Sequence, residues 1–242
     1  MELLANERLD HLIKEKLSII QNNEVFSFST DALLLAHFTE VRKNDRILDL
    51  CSGNGIIPLL LSDKGNQQIE AIEIQAQLVD MANRSIQYNQ LTDRIKMHEM
   101  DLKNAHVNFK PSQYNLVTCN PPYFKANQLH QHQKDAHKIA RHEILCTLED
   151  CCLAARHLLK QGGRFMMVHR AERVMDVLSE MRKYQIEPKK LHLIYSKTER
   201  SAQTIVVEGR KNGNQGLAIQ PPFYIYNEDG TYSDEMRTVY YG

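Results

Sequence analysis

From Arg46 onward, short apolar runs that read as strands alternate with stretches of helical period. This alternation constrains the fold more than any other feature. Parallel neighbours need a crossover, and crossover helices cover the sheet on both faces. The strand-like runs are "RILDL" (46–50), "QQIEAIEI" (67–74), "RIKMHEM" (94–100), "YNLVTCN" (114–120), "RFMMVH" (164–169), "KLHLIYS" (190–196) and "QTIVVEGR" (203–210). Between them, residues 56–62, 76–90, 143–163 and 172–184 carry helical spacing, the third stretch stopping at Gly162-Gly163. Only "KTERSA" separates the last two strands, which is too short for a crossover and predicts an antiparallel hairpin. The expected class is therefore α/β, a seven-stranded, mostly parallel sheet with its last strand reversed and helices on both faces. Ahead of it, "LSIIQNNEVFSFS" (17–29) reads as a small hairpin turning at Asn22-Asn23, and Asp31 as a cap for the helix "ALLLAHFTE" (32–40). The aromatic tail "FYIYNEDGTYSDEMRTVYYG" has no assignable pattern.

A chain of 242 residues suits one sizeable domain. We read 1–242 as one unit, with 1–45 an N-terminal extension and 212–242 a C-terminal tail. No apolar run approaches the roughly 20 residues that span a bilayer, and the charged start lacks a signal-peptide core, so a cytoplasmic chain is expected. Cysteines 51, 119, 146, 151 and 152 are odd in number and form no C-x-x-C pair. That spacing suggests neither a disulfide framework nor a zinc site, and no metal is expected. Thirty basic residues balance thirty acidic ones, but residues 160–211 hold twelve Lys and Arg against six acids. The asymmetry permits a basic face, although solvated helix faces and strand edges explain most such charges.

The turn after the first strand, "LDLCSGNGIIPL", places Asp49 before two glycines, Gly53 and Gly55, as the chain enters a helix. Glycine permits a tight turn and close approach of a ligand, at the edge of the sheet where ligands collect. A full G-x-G-x-x-G is absent, as are the lysine and hydroxyl of a P-loop, which argues against a nicotinamide enzyme. Glu73 ends the second strand and suits a ribose diol; Asp101 follows the third and suits an adenine amino group. Taken singly, each acid reads equally well as a helix cap. Taken in order, "DLCSGNG", Glu73 and Asp101 resemble the S-adenosylmethionine-dependent methyltransferase fold over about Arg46 to Arg210. The resemblance implies S-adenosylmethionine as cofactor. It implies that Asp49, Cys51, Ser52, Gly53, Asn54 and Gly55 surround its methionine part, that Glu73 with Ile74 holds the ribose, and that Asp101 with Leu102 flanks the adenine.

The fourth strand ends in Asn120-Pro121-Pro122-Tyr123. Two prolines fix φ, drive Asn120 away from helical geometry and offer no N–H, so acceptor oxygens dominate this exit. Such acceptors suit a planar NH2 group whose lone pair is delocalised. Gripping its hydrogens favours the pyramidal form and aims the lone pair at a sulfonium methyl, while Tyr123 offers a flat face for an unstacked base. Asn120 thus serves both amine and cofactor. The sequence resembles the (D/N)-P-P-(Y/F/W) motif of exocyclic amino methyltransferases, which act on adenine N6, guanine N2 or glutamine N5.

The flanks narrow the choice. The lead-in "VFSFSTDALLLAHF" and "ARHE" (140–143) resemble the bacterial tRNA1(Val) adenine N6-methyltransferase family, which modifies the adenine beside the anticodon. In that family the lead-in closes over the cofactor, which implicates Thr30 and Asp31. The loop from Phe124 to Arg141 is long for a connection, and Lys125, Lys134, Lys138 and Arg141 outnumber its single acid Asp135, so it suits RNA phosphates. Histidines 130, 132, 137 and 142 match no zinc spacing. A tRNA substrate is expected. Guanine N2 methylation of ribosomal RNA and glutamine N5 methylation of a release factor are the alternatives, and an idle binding module of the same fold is a third reading.

Overall fold

The computed structural model describes residues 3–22, 29–122 and 146–242. The central sheet contains β3 (Ile47–Leu50), β4 (Ile69–Glu73), β5 (Ile95–Glu99), β6 (Tyr114–Cys119), β7 (Leu159–Arg170), β8 (Ile186–Tyr195) and β9 (Ala202–Lys211). Two short strands, β10 (Ala218–Ile219) and β11 (Phe223–Tyr224), pair along β8. The spatial order is β10-β8-β9-β7-β6-β3-β4-β5, so the sheet has nine strands, two more than expected. All seven expected strands are present, and β9 runs antiparallel to both β7 and β8. Since β8 then shares the direction of β7, the β8–β9 connection emerges at the same edge as the carboxyl ends of β3, β4, β5 and β6.

Helices cover both faces. One apolar cluster joins Leu33–Ala36 of α1 (Thr30–Phe38), Ile56–Leu61 of α2 (Ile56–Ser62), Val79, Ala82 and Ile86 of α3 (Ala76–Tyr88), and Met236 and Val239 of the C-terminal helix Asp234–Tyr241. The other face carries the short helix α4 (Ala105–Asn108), α5 (Leu148–Leu158) and α6 (Val174–Lys183), through Ala105, Ala155, Leu158, Val177 and Met181. The C-terminal helix is α7. Strand alternation splits the sheet between the clusters: Ile47 and Leu116 face the first, Leu48, Leu50, Val117 and Cys119 the second.

Several local expectations are corrected. The N-terminal hairpin starts earlier, as β1 (Glu7–Leu12) against β2 (Leu17–Asn22), and turns around Lys16, whose φ is 55°. Asn22 ends β2, and residues 23–28 lie outside the description. Asp31 does not cap α1: Ser29 is its N-cap residue, and Asp31 instead accepts a hydrogen bond from the Thr204 hydroxyl at 3.1 Å. The helix expected over 143–163 spans Leu148–Leu158, fixed at its start by a reciprocal Thr147–Asp150 capping box. Gly162 and Gly163 lie within β7, because that strand also pairs with β6 at Leu159, across a register shift. The unassigned tail forms β11, a turn and α7, held by Ser233 Oγ, which accepts from the Met236 N–H.

Not all of the basic segment 160–211 is free surface charge. Arg164 is buried, donating to Asp45 at 2.6 Å and to the Glu40 carbonyl at 2.7 Å. Lys211 is buried too, donating to the Leu159 carbonyl at 2.5 Å. Lys183 pairs with Glu149 and Glu180. Among the described residues, no helix is long and apolar enough to cross a membrane.

Candidate functional site

The carboxyl ends of β3, β4, β5 and β6 are neighbours in one parallel array, and the register sets Leu50 beside both Ile72 and Cys119. The chain leaves β3 through Cys51, Ser52, Gly53, Asn54 and Gly55. Cys51, at φ 56°, reverses direction in the left-handed region that side chains seldom adopt. Gly53 (φ 57°) and Gly55 (φ 83°) continue the turn. A Cβ on Gly55 would stand 3.0 Å from Ala82 Cβ of α3, so the residue lets helix and loop approach as well as turn.

Glu73 closes this loop from the next strand. Its Oε2 accepts from the Gly53 N–H at 2.9 Å, and its Oε1 accepts from the Gln75 N–H at 3.0 Å. Glu73 is thus a clamp on the glycine turn that also holds Gln75, the residue before α3. Gln75 Nε2 also donates to Oε1 at 3.3 Å, so of about four acceptor positions on the carboxylate one is left open to the ribose. Ile74 follows it directly. Asp101 accepts from the Lys103 N–H at 2.9 Å and caps the turn beginning at Leu102, which is buried. Its second oxygen, Oδ2, pairs with Lys103 Nζ at 3.5 Å.

Asp49 lies fully buried one residue inside β3. Its Oδ1 accepts from the Thr118 hydroxyl at 2.6 Å. Burial pushes its carboxyl up to about 7, against the moderating influence of the Thr118 and Ser52 hydroxyls. Among the described residues, Asp49 Oδ2, Ser52 Oγ and Asn54 Oδ1 are buried without a well-formed hydrogen bond. Buried polar atoms are rarely left so, and three around one glycine turn mark a place built for a polar ligand. Asn54 Nδ2 donates to the Ile20 carbonyl at 2.9 Å, tying β2 to the same loop. Ile20 N–H in turn donates to Ser85 Oγ of α3 at 2.9 Å.

Asn120, half-buried, and Pro121, buried, leave β6 beside this loop. Thr30 and Asp31 open α1 on the same face as Asp49. Tyr123, Lys125, Lys134, Lys138, Arg141 and the four loop histidines lie outside the described residues. Sequence reasoning missed Thr118. A hydroxyl inside the apolar strand "YNLVTC" was its available signal. It also missed the docking of β2 through Asn54 and Ser85, since the partners are far apart in the chain.

Comparison with known proteins agrees with this geometry. Residues 16–186 match the family described as methyltransferase small domain. A tRNA1(Val) (adenine(37)-N6)-methyltransferase of Dyadobacter fermentans is 23% identical over 226 residues, covering 93% of this chain and 92% of that one. The protein of the same name in Tolumonas auensis is 32% identical over 152 residues, 62% of each chain. A solved structure of a predicted O-methyltransferase, Atu636 of Agrobacterium tumefaciens, superposes with TM-score 0.69 at 17% identity, over 87% of this chain and 95% of that one, a likeness of fold.

Proposed function

Because the chain belongs to the methyltransferase small domain family and takes its methyl group from S-adenosylmethionine, we propose that the acceptor is the N6 amino group of an adenine in tRNA, in the anticodon loop beside the anticodon. The observation that carries this is the pairing of β3 with β6, which puts the Cys51–Gly55 turn and the Asn120-Pro121-Pro122 exit side by side. The curated relatives named above supply the choice of tRNA and of adenine.

The residues divide the work. When bound, S-adenosylmethionine supplies an electrophilic methyl group on a positively charged sulfur. Asp49 Oδ2 and Asn54 Oδ1 accept from the ammonium of its methionine part and the Ser52 hydroxyl donates to its carboxylate, with Cys51, Gly53 and Gly55 giving backbone room. Glu73, beside Ile74, accepts from the ribose hydroxyls, and Asp101, beside Leu102, accepts from the adenine amine. Thr30 and Asp31 flank the cofactor as part of the N-terminal lid formed by residues 1–45. Asn120 Oδ1 and the carbonyls around Pro121 and Pro122 hold the acceptor amine so that its lone pair faces the methyl carbon. Tyr123 stacks on the extruded base. With the amine so held, the methyl group would pass from sulfur to nitrogen, and the amine would then release a proton to solvent.

Lys125, Lys134, Lys138 and Arg141 run along tRNA phosphates in this reading. The β8–β9 tip adds Lys197 and the exposed Arg200 at the same rim. The enzyme acts in the cytoplasm, as a single domain of residues 1–242. Incubation with labelled cofactor and, separately, bulk tRNA, total ribosomal RNA and release factor tests the assignment. Label in tRNA as N6-methyladenine is expected; label only in release factor or only in ribosomal RNA overturns it.

A further inference from the structure

Three of the five cysteines, scattered over a hundred residues of sequence, meet at one point in the fold, and a fourth, Cys146, touches two of them. Cys51 follows β3, Cys119 ends β6, and Cys146 and Cys151 flank the start of α5. The sulfurs of Cys51, Cys119 and Cys151 all lie within 4.8 Å of one another. Cys146 Sγ stands 3.8 Å from Cys51 Sγ and 3.2 Å from Cys151 Sγ. An ion with metal–sulfur bonds of about 2.3 Å in tetrahedral array separates its sulfurs by roughly 3.8 Å, the scale of these contacts.

Ordinary core packing accounts poorly for the arrangement. A buried cysteine behaves as a small hydrophobe and gains nothing from facing other thiols, which are weak donors and weak acceptors. Here Cys119 and Cys151 are fully buried and Cys146 nearly so, while Cys152, adjacent in sequence, stands outside the group. Cys51 reaches the group from a backbone at φ 56°, a conformation that costs energy for any residue with a side chain. A disulfide would single out one pair. Instead Cys51 meets Cys119, Cys146 and Cys151, a many-to-one contact suited to a shared centre.

We propose that Cys51, Cys119 and Cys151, with Cys146 as fourth donor, bind one thiophilic d10 metal ion, zinc(II) in the first instance. The spacing in the sequence gave no reason to expect it, because the ligands converge only through the β3–β6 pairing and the seating of α5. The site lies on the α5 face of the sheet, whereas Asp49 and Thr118 lie on the opposite face. It is structural: it fastens the end of β3 and the end of β6 to the start of α5, and so braces both the glycine turn and the Asn120 exit from behind. Each thiol that ligates releases one proton to solvent. Uptake therefore tightens with rising pH. The inference stands on this cluster alone and not on the methyl acceptor.

The full chain, reduced and stripped with chelator, is titrated with cobalt(II) and read by visible absorption, then with zinc(II) to displace it; copper(I) is titrated separately against a chromophoric competitor. One ion per chain is expected, with the sulfur-to-cobalt charge-transfer and tetrahedral bands of thiolate ligation. Cys151→Ser and Cys146→Ser should each weaken binding by more than about tenfold, and Cys152→Ser should leave it unchanged. Circular dichroism of each metal-free variant establishes folding, and Cys146→Ser, at the edge of the cluster, serves if Cys151→Ser does not fold. Retention of copper(I) or zinc(II) identifies which d10 ion occupies the site. Failure of every ion to bind at stoichiometric protein, equal binding by the cysteine variants, or loss of two free thiols per chain to a disulfide without metal would each overturn the proposal.

Discussion

Thr118 sits directly opposite Asp49 in the β3–β6 ladder and donates its hydroxyl to the Asp49 carboxylate at 2.6 Å. A buried acid next to the glycine turn is therefore held by a residue from the strand that ends in Asn120-Pro121-Pro122. Thr118→Val keeps the shape and removes the donor. Leaving that oxygen unpaired should cost about 1–3 kcal/mol of stability at neutral pH, measured by urea denaturation, and weaken cofactor binding measured by calorimetry. Unchanged values for both would show that the hydroxyl carries no share of the site.

Asn120→Ala should lower turnover by about a hundredfold or more, the scale set by loss of one oriented polar group at a reacting centre, while cofactor affinity changes little. Asn120→Asp, which keeps an acceptor at the same place, should retain part of the activity. Single-turnover rates with labelled cofactor decide; full activity of Asn120→Ala would remove the amine-holding role.

How much of this was readable from the chain depends on the range of the interaction. The seven strands, the reversed β9 and the rim formed by Asp49, Glu73 and Asp101 follow from local period and short connections, and the structure has them. The N-terminal hairpin was misplaced because "ERLDHL" has polar residues on both parities; β1 pairs with β2 but most of its residues stay half-exposed. The glycines at 162 and 163 read as a helix stop, yet pairing of Leu159 with Tyr114 of β6 draws them into a strand despite their weak strand preference. Arg164 and Lys211 read as free charge until the fold buried them against Asp45 and a carbonyl. The thiol cluster was illegible for the same reason, since its members come from three separate segments.

Gly55→Ala is expected to destabilise the protein by about 1–3 kcal/mol, since φ is 83° and the new methyl would meet Ala82 Cβ at 3.0 Å. Thermal denaturation reads the first effect. Pairing it with Ala82→Gly separates the causes: recovery of stability assigns the loss to crowding, and no recovery assigns it to the backbone.

Burial, followed by the nearby Lys64 and Lys14 charges, pulls the His37 imidazole down to about 4, and burial followed by Lys190 does the same to His192. The two flank Phe38, on which His192 stacks at 4.0 Å. Depressed folded values mean that the stability these groups confer is whole above about pH 6.5 and is lost as pH falls through about 4. Denaturation at pH 7 and pH 5 should differ by about 1–2 kcal/mol per histidine after allowance for partial exposure. His192→Phe should shrink the difference; an unaltered pH profile would contradict the assignment.

Lys197→Ala with Arg200→Ala, at the β8–β9 tip, should weaken tRNA binding and reduce its dependence on salt by about one to two phosphate contacts, with cofactor affinity preserved. Filter binding across a series of salt concentrations gives the slope. A slope equal to that of the unaltered protein would place the tip away from the RNA.

The pairing of β10 and β11 along β8 has a further effect. A long outermost strand exposes a ladder of unmatched amides and carbonyls that invites a second molecule to zip on, the first step toward insoluble fibres. Here the returning C-terminal segment occupies that ladder in two places and then folds α7 back onto the body. The tyrosine-rich tail therefore acts as a selvedge, a finished border that keeps the woven sheet from fraying into its neighbours.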